Sequence, residues 1–501
     1  MHSLSHQDWL EKAKHLNIAT GLFLDGQYVP SQDGATFDCI NPADGSLIAK
    51  MAKGQAADVD AAVASGLRAW NDRRWRGLAP RGRMQVLFKF ADLIEQHANE
   101  LALLETLDMG KPISDVLNID LPEVTKTIRY FAECIDKMEG AVTHTAPEAL
   151  HLIMHEPMGV VAAITPWNYP MLMAIWKVAP ILAAGNCVVL KPAEQAPLSC
   201  TKLAQLFVEA GGPAGVFNVV NGLGPEAGKA LALHPDVIKL SFTGSTAVGK
   251  LLLGYAGQSN MKRVALETGG KSPQIFLPDL YDLDAAVDRA VGGIYDNAGQ
   301  VCNAGSRLLV HRDLHDEFVK RFIARTAQTY VPGDPLNPAT TLGPLVSHAQ
   351  QKNVQGRIQR GLQEGAQLVM GRETVSPHLA AGAYVCPTLL MCARADMSVV
   401  QEEIFGPVTT VLSFETDEEA IALANDSVYG LAASVWTRDL KKANHFVREL
   451  EAGVVWVNCF GDGDMTQPFG GYKQSGNSRD KHMMSLLSYT QSKSAWFSMG
   501  A

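Results

Sequence analysis

The run "MGVVAAITPWNYPMLMAIWKVAPILAAGNCVVL", residues 158–190, is the most apolar part of the chain. How it is divided decides the fold. A membrane span needs about 20 consecutive apolar residues. Pro166, Asn168, Pro170, Lys177, Pro180 and Gly185 interrupt this run before that length is reached. It therefore reads as strand, loop, buried helix, strand. "VVAAIT" (160–165) and "CVVLKP" (187–192) carry the unbroken β-branched and aliphatic character of strands buried on both faces.

The pattern continues outward. "APLSCTKLAQLFVEAGG" reads as a helix with a glycine stop, "VFNVVNG" as a strand, and "EAGKALALH" as a helix. "VIKLSFTGS" is a strand leading into the helix "TAVGKLLLGYAG". Alternation at roughly 25 residues per unit predicts a doubly wound parallel sheet. Upstream, residues 57–137 show apolar positions at helical spacing, with Asp58 as a cap and Gly110 as a stop. Downstream, helices "DLDAAVDRAVGGIYDNAG", "LHDEFVKRFIARTAQTY" and "HAQQKNVQGRIQRGLQEGA" alternate with strands "SRLLVHR", "PVTTVLSF" and "AASVWTR". This predicts a second α/β domain, its boundary near Gly269-Gly270. "HLIMHEP" and the tail "LLSYTQSKSAWFSM" alternate as exposed strands do, which suggests an oligomerisation flap.

A length of 501 residues exceeds what one core supports. A net charge of −9 disfavours nucleic acid as a partner. Eight cysteines are scattered without a CxxC pair, so neither a zinc site nor a disulfide framework is expected. The N-terminal "MHSLSHQDWLEKAKHL" lacks the apolar region of a secretory signal, and reduced cytosolic thiols are the simpler expectation. No membrane or metal partner is expected.

Two motifs mislead. "GSTAVGKL" (244–251) matches the glycine-lysine core of a P-loop, but Leu251 stands where a magnesium-binding hydroxyl is needed. As a strand-to-helix turn it still suits a dinucleotide. "NGLGPEAG" (221–228) is one residue too long for GxGxxG. His151 and His155 lie in a strand, where four residues span about 13 Å, too far to share an ion.

Four stretches carry chemistry. Cys302 in "NAGQVCNAGSR" (297–307) sits among amides and small residues, whose turns offer N–H groups beside a thiol. Glu267 in "LETGGKSP" is placed to act as a general base for water. Asn168 in "TPWNYP" ends a buried strand with an amide that can donate to an oxyanion. Lys191 and Glu194 in "LKPAEQAP" leave the end of a parallel strand, where they can grip a ribose.

With "FTGSTAVGK", "EEIFGPV" and "PFGGYKQSG", these stretches resemble the NAD(P)-dependent aldehyde dehydrogenase superfamily over nearly the whole chain, and its polyamine-catabolic branch in particular. The resemblance implies two doubly wound parallel-sheet domains plus a small β flap. The cofactor domain would comprise 1–137 and 158–268, the catalytic domain 269–480, and the bridging segment 138–157 with 481–501. It implies that Cys302 is the nucleophile, Asn168 the oxyanion donor and Glu267 the base, with Lys191 also set beside the catalytic group. Cofactor residues would be Thr165, Pro166, Trp167, Lys191, Glu194, Gly224, Phe242, Gly244, Ser245, Gly269, Glu403 and Phe405. Glu194 should repel a 2′-phosphate, so NAD⁺ is favoured over NADP⁺. A homotetramer is favoured over a dimer.

By position, the substrate tunnel would involve Asp120, Glu123, Tyr169, Leu172, Met173, Trp176, Tyr295, Asp296, Asn303, Asp462, Asp464 and Phe469. Asp296 and Gly463 stand where enzymes for simple aldehydes carry aromatics. The carboxylates would suit a cationic tail, as in ω-amino, guanidino or γ-glutamylamino aldehydes. The alternative is a broad-specificity medium-chain aldehyde dehydrogenase.

Overall fold

The structure is a computed structural model describing residues 4–371 and 374–500. Two seven-stranded sheets organise it. In the first, the order is Arg263–Glu267, Val237–Thr243, Val160–Ile164, Cys187–Lys191, Phe217–Val219, Leu22–Leu24, Gln27–Val29. The first five run parallel, Leu22–Leu24 pairs antiparallel with Phe217–Val219, and Gln27–Val29 pairs antiparallel with Leu22–Leu24. Val160–Ile164 and Cys187–Lys191 are buried at every position. The helix between them, Pro170–Ala183, buries all but one of its residues, Trp176. The apolar run that opened the sequence reading is thus one βαβ unit at the sheet centre. No helix among the described residues is long and apolar enough to cross a membrane.

The chain passes to the second sheet between Glu267 and Pro273. Its order is Gln367–Met370, Thr388–Met391, Val408–Phe414, Arg307–His311, Pro273–Phe276, Ala432–Trp436, Val454–Val457. All neighbours are parallel except the first pair. A separate antiparallel sheet joins Thr490–Ser498, Ala149–Pro157 and Ala141–Thr143. His151 and His155 lie in it and bond hydroxyls: His151 those of Thr143 and Ser494, His155 that of Thr490.

Three details differ from expectation. Asp58 does not cap the helix Ala56–Asn71 from outside. It sits in the first turn, and its carboxylate accepts from the Gln55 N–H at 2.9 Å, the return half of a capping box. Residues 224–233 form a π turn, Gly224–Gly228, before the short helix Lys229–Leu233. The bridging strand begins only at Thr490, because Leu486 and Tyr489, at the end of the helix His482–Ser488, are buried in the core of the first sheet. Gly110 does end its helix, at φ 83°.

Candidate active site

Ligands of open α/β sheets bind outside the carboxyl ends of the strands. In the first sheet those ends bring together Thr165, Lys191, Thr243 and Glu267. The Thr165 and Thr243 hydroxyls are buried and have no hydrogen-bond partner among the described residues. After Thr243 the chain turns into the helix Thr246–Gln258, where Ser245 Oγ accepts from Val248 N at 3.3 Å. A Cβ on Gly244 would lie 2.4 Å from the Phe242 ring, so only glycine keeps this turn close to the sheet. Lys191 Nζ is held by the Pro192 carbonyl at 2.8 Å and by Glu194 at 3.3 Å. The Gly224–Gly228 turn lies alongside, since a Cβ on Gly228 would meet Lys191 Cδ at 3.5 Å.

The glycine pair 269–270 lies in the short segment that links the two sheets, between Glu267 and Pro273. Gly270 N donates to Glu403 Oε1 at 3.2 Å, and a Cβ on Gly269 would lie 2.1 Å from Glu403 Oε2. Burial pushes the Glu403 carboxyl up to about 7, against the pull of the Gly270 N–H and Lys271. Phe405, at φ 59°, turns its ring edge-on to Trp167 at 5.1 Å.

Cys302 follows a left-handed run. Asn297, Ala298 and Gly299 have φ of 50°, 53° and 70°. A Cβ on Gly299 would lie 2.1 Å from the Gly406 carbonyl oxygen. Amides lock the loop: Asn297 Nδ2 donates to Asn168 O and Asn168 Nδ2 to Gln300 O, both at 2.8 Å. The second N–H of Asn168 remains for another acceptor. Cys302 is half-buried. Burial first, then the charges of Glu403 and Glu267, push its thiol up to about 12. Glu267 is buried, and its Oε1 accepts from Ser478 Oγ at 2.8 Å. Its other oxygen has no partner among the described residues. Burial, followed by the charge of Asp480, raises its pKa well above the carboxylate range. Behind it, Lys177 and Asp480 form a buried ion pair at 2.5 Å.

One continuous cavity of about 780 Å³ connects the Gly244 turn, the Glu403–Phe405 segment and the cysteine loop, while Glu267 lies buried behind its wall next to the lining residues Thr268 and Gly269. It runs from Gly244 and Ser245 past Trp167, Phe405 and Glu403 to Cys302, Asn303 and Asn168. Beyond the thiol its walls are Tyr169, Leu172, Met173, Trp176, Trp456 and Phe469, with Glu123 and Lys481 as the charged groups.

Residues 28–495 match the model of the aldehyde dehydrogenase family. The chain belongs to the aldehyde dehydrogenase family. It is 47% identical to the NADP/NAD-dependent aldehyde dehydrogenase PuuC of Escherichia coli over 493 residues, 98% of each chain. Among solved structures it resembles the indole-3-acetaldehyde dehydrogenase AldA of P. syringae, a mutant in complex with NAD⁺ and IAA, with TM-score 0.97 and 50% identity over 99% of this chain and 100% of that one. The same TM-score, identity and coverage relate it to a γ-glutamyl-γ-aminobutyraldehyde dehydrogenase from Burkholderia cenocepacia.

In this aldehyde dehydrogenase, five of the expected tunnel residues lie off the cavity wall. Tyr295 ends its helix facing the core, its hydroxyl donating to Thr388 O at 3.1 Å. Asp296 accepts from the Tyr330 hydroxyl. Asp120 is buried in an ion pair with Lys111 at 2.5 Å. Asp462 pairs with Arg289 at 3.4 Å on the surface. Asp464 accepts from its own turn, Thr466 N and Oγ1, at 2.8 and 2.6 Å. These acids are consumed locally, which spacing alone does not reveal. Glu123, Tyr169, Leu172, Met173, Trp176, Asn303 and Phe469 do line the cavity. Thr165, Lys191, Glu194, Gly224 and Phe242 do not, while Pro166, Trp167, Gly244, Ser245, Gly269, Glu403 and Phe405 do. Lys191 is occupied with Pro192 and Glu194, so the structure gives it a place among the sheet-end groups and none beside Cys302. Sequence reasoning missed Lys481 and Trp456 as cavity residues.

Proposed function

We propose that the protein oxidises an aldehyde to its carboxylic acid with NAD⁺, through covalent catalysis by Cys302. The observation that carries this is the single cavity that places a thiol between a sheet-end cleft and an apolar tunnel. The cleft fits a dinucleotide. It offers the unpartnered Thr243 hydroxyl, a glycine-opened helix start for phosphate and Glu403 for one ribose, and Lys191 with Glu194, at the neighbouring strand end outside the cavity wall, would take the other. When bound, NAD⁺ supplies the acceptor for the hydride that leaves the substrate carbon. Glu194 favours NAD⁺ over NADP⁺ by repelling a 2′-phosphate.

The chain's own groups do the rest. The Cys302 sulfur, as thiolate, adds to the carbonyl carbon. The free N–H of Asn168 and the main-chain N–H of Cys302 donate to the oxyanion. Once the carbon is oxidised, Cys302 holds a thioester. Glu267, as carboxylate, takes a proton from water, and the hydroxide equivalent displaces the sulfur.

The substrate is read as an aldehyde of polyamine breakdown, with an amino, guanidino or γ-glutamylamino end. The relative from Burkholderia cenocepacia, named for one such aldehyde, supports this. The apolar walls, Met173, Trp176, Trp456 and Phe469, favour the second reading, a broad-specificity medium-chain enzyme. The protein is proposed to be cytoplasmic and homotetrameric, the three-stranded sheet with exposed Trp496 and Phe497 bridging subunits. The test is NADH formation from butanal, 4-aminobutanal, 4-guanidinobutanal and γ-glutamyl-4-aminobutanal. The reading predicts turnover in the native protein and none in Cys302→Ala; equal rates in both would sink it.

A further inference from the structure

With Asp296, Asp462 and Asp464 engaged elsewhere, two charges remain on the tunnel walls, Glu123 and Lys481. The other charged lining residues, Arg357, Glu402 and Glu403, lie on the Phe405 side: Gln350, on the helix with Arg357, donates to the Phe405 carbonyl, and Arg357 pairs with Glu402. Lys481 is the unusual one. It is only 9% exposed, yet its ammonium makes no hydrogen bond or ion pair among the described residues. Its ammonium lies 5.7 Å from the centre of the Trp176 ring. The Trp176 indole N–H is itself buried without a partner among the described residues. An unpaired cation and a buried, unpartnered donor on the same stretch of tunnel wall offer an anion two partners. Nearby, Glu123 carries an acid partly held by Lys126 at 3.1 Å. Of the charges acting on Lys481, Glu123 is the largest, ahead of Lys126 and Asp464. The backbone holds Lys481 at φ 60°, a conformation a lysine keeps only where its surroundings demand it.

We propose that Lys481, with the Trp176 N–H, binds a carboxylate at the far end of the aldehyde, and that Glu123 binds an ammonium beside it, so that the tunnel selects a zwitterionic amino-acid tail rather than a simple cation. This rests on the aldehyde-oxidising reading and narrows its substrate. A plain ω-amino aldehyde would bring a second cation toward Lys481.

The test compares three aldehydes by kcat/KM: butanal, γ-glutamyl-4-aminobutanal, and the same compound with its α-carboxylate converted to carboxamide. The native enzyme is expected to favour the carboxylate over the carboxamide by about ten-fold or more, as a charge-assisted contact does. In Lys481→Met that ratio should fall to near one, mainly through KM, and in Lys481→Arg it should persist. A ratio near one in the native enzyme overturns the proposal while turnover of butanal leaves the parent reading standing. An equal loss on both tailed substrates in Lys481→Met, with the ratio unchanged, overturns it as well. No NADH from any of the three removes the parent reading and this one together.

Discussion

At the scale of single residues, the proposed chemistry turns on two groups whose protonated forms burial favours. Burial holds Cys302 as a thiol with pKa about 12 and keeps Glu267 protonated well above the usual carboxylate range. Both reactive forms are the deprotonated ones, so both fractions rise with pH. Alkylation of Cys302 by iodoacetamide in the cofactor-free protein should therefore accelerate about ten-fold per pH unit from 7 to 9 without a plateau. Mass mapping of the modified cysteine checks this, and a plateau below pH 8 would show a thiolate already formed. Glu267→Gln should slow kcat by roughly 10²-fold or more by stalling hydrolysis, with a first-turnover burst of NADH preserved. That Cys302 and Asn168 meet at one cavity could be anticipated, because each stands at a turn or strand end where the fold opens a cleft. The tunnel acids could not. Whether Asp296 faces a cavity or Tyr330 depends on the left-handed turn at Asn297 and Ala298, which no residue type in the run announces.

At the scale of elements, the site is held by tight crossings. The buried pair Lys177–Asp480 ties the helix Pro170–Ala183 to the segment behind Glu267. Removing one partner leaves a buried charge, so Lys177→Met should cost about 3–5 kcal/mol, read as a lower urea midpoint. The swap Gly299→Ala places a Cβ against the Gly406 carbonyl in a conformation alanine avoids. It should cost on the order of 2 kcal/mol and lower kcat/KM by displacing the cysteine loop. Buried strands and amphipathic helices were legible because burial on both faces or one leaves a periodic trace. The strands Leu22–Leu24 and Gln27–Val29 were not, since three residues carry no period and the pairing of Leu22–Leu24 with Phe217–Val219 is set by contacts distant in sequence. The same holds for the helix His482–Ser488. Its place is fixed by Leu486 and Tyr489 entering a core formed mostly by residues before 270.

At the scale of the molecule, the chain crosses between the two sheets at Gly269-Gly270, and one cavity brings the Cys302 thiol to both a sheet-end cleft and an apolar tunnel. The third sheet leaves Val142, Trp496 and Phe497 exposed, an apolar surface that suits the proposed contact between subunits. Trp496→Glu should shift the proposed tetramer to smaller species in light scattering. Unchanged mass would place the interface elsewhere.

The central claim is that oxidation proceeds through an acyl group on Cys302. The most direct measurement is intact and peptide mass spectrometry of Glu267→Gln mixed with NAD⁺ and butanal and quenched in acid. The account predicts one butanoyl group per subunit, on the Cys302 peptide, appearing with the NADH burst. NADH formed with Cys302 unmodified throughout would contradict it.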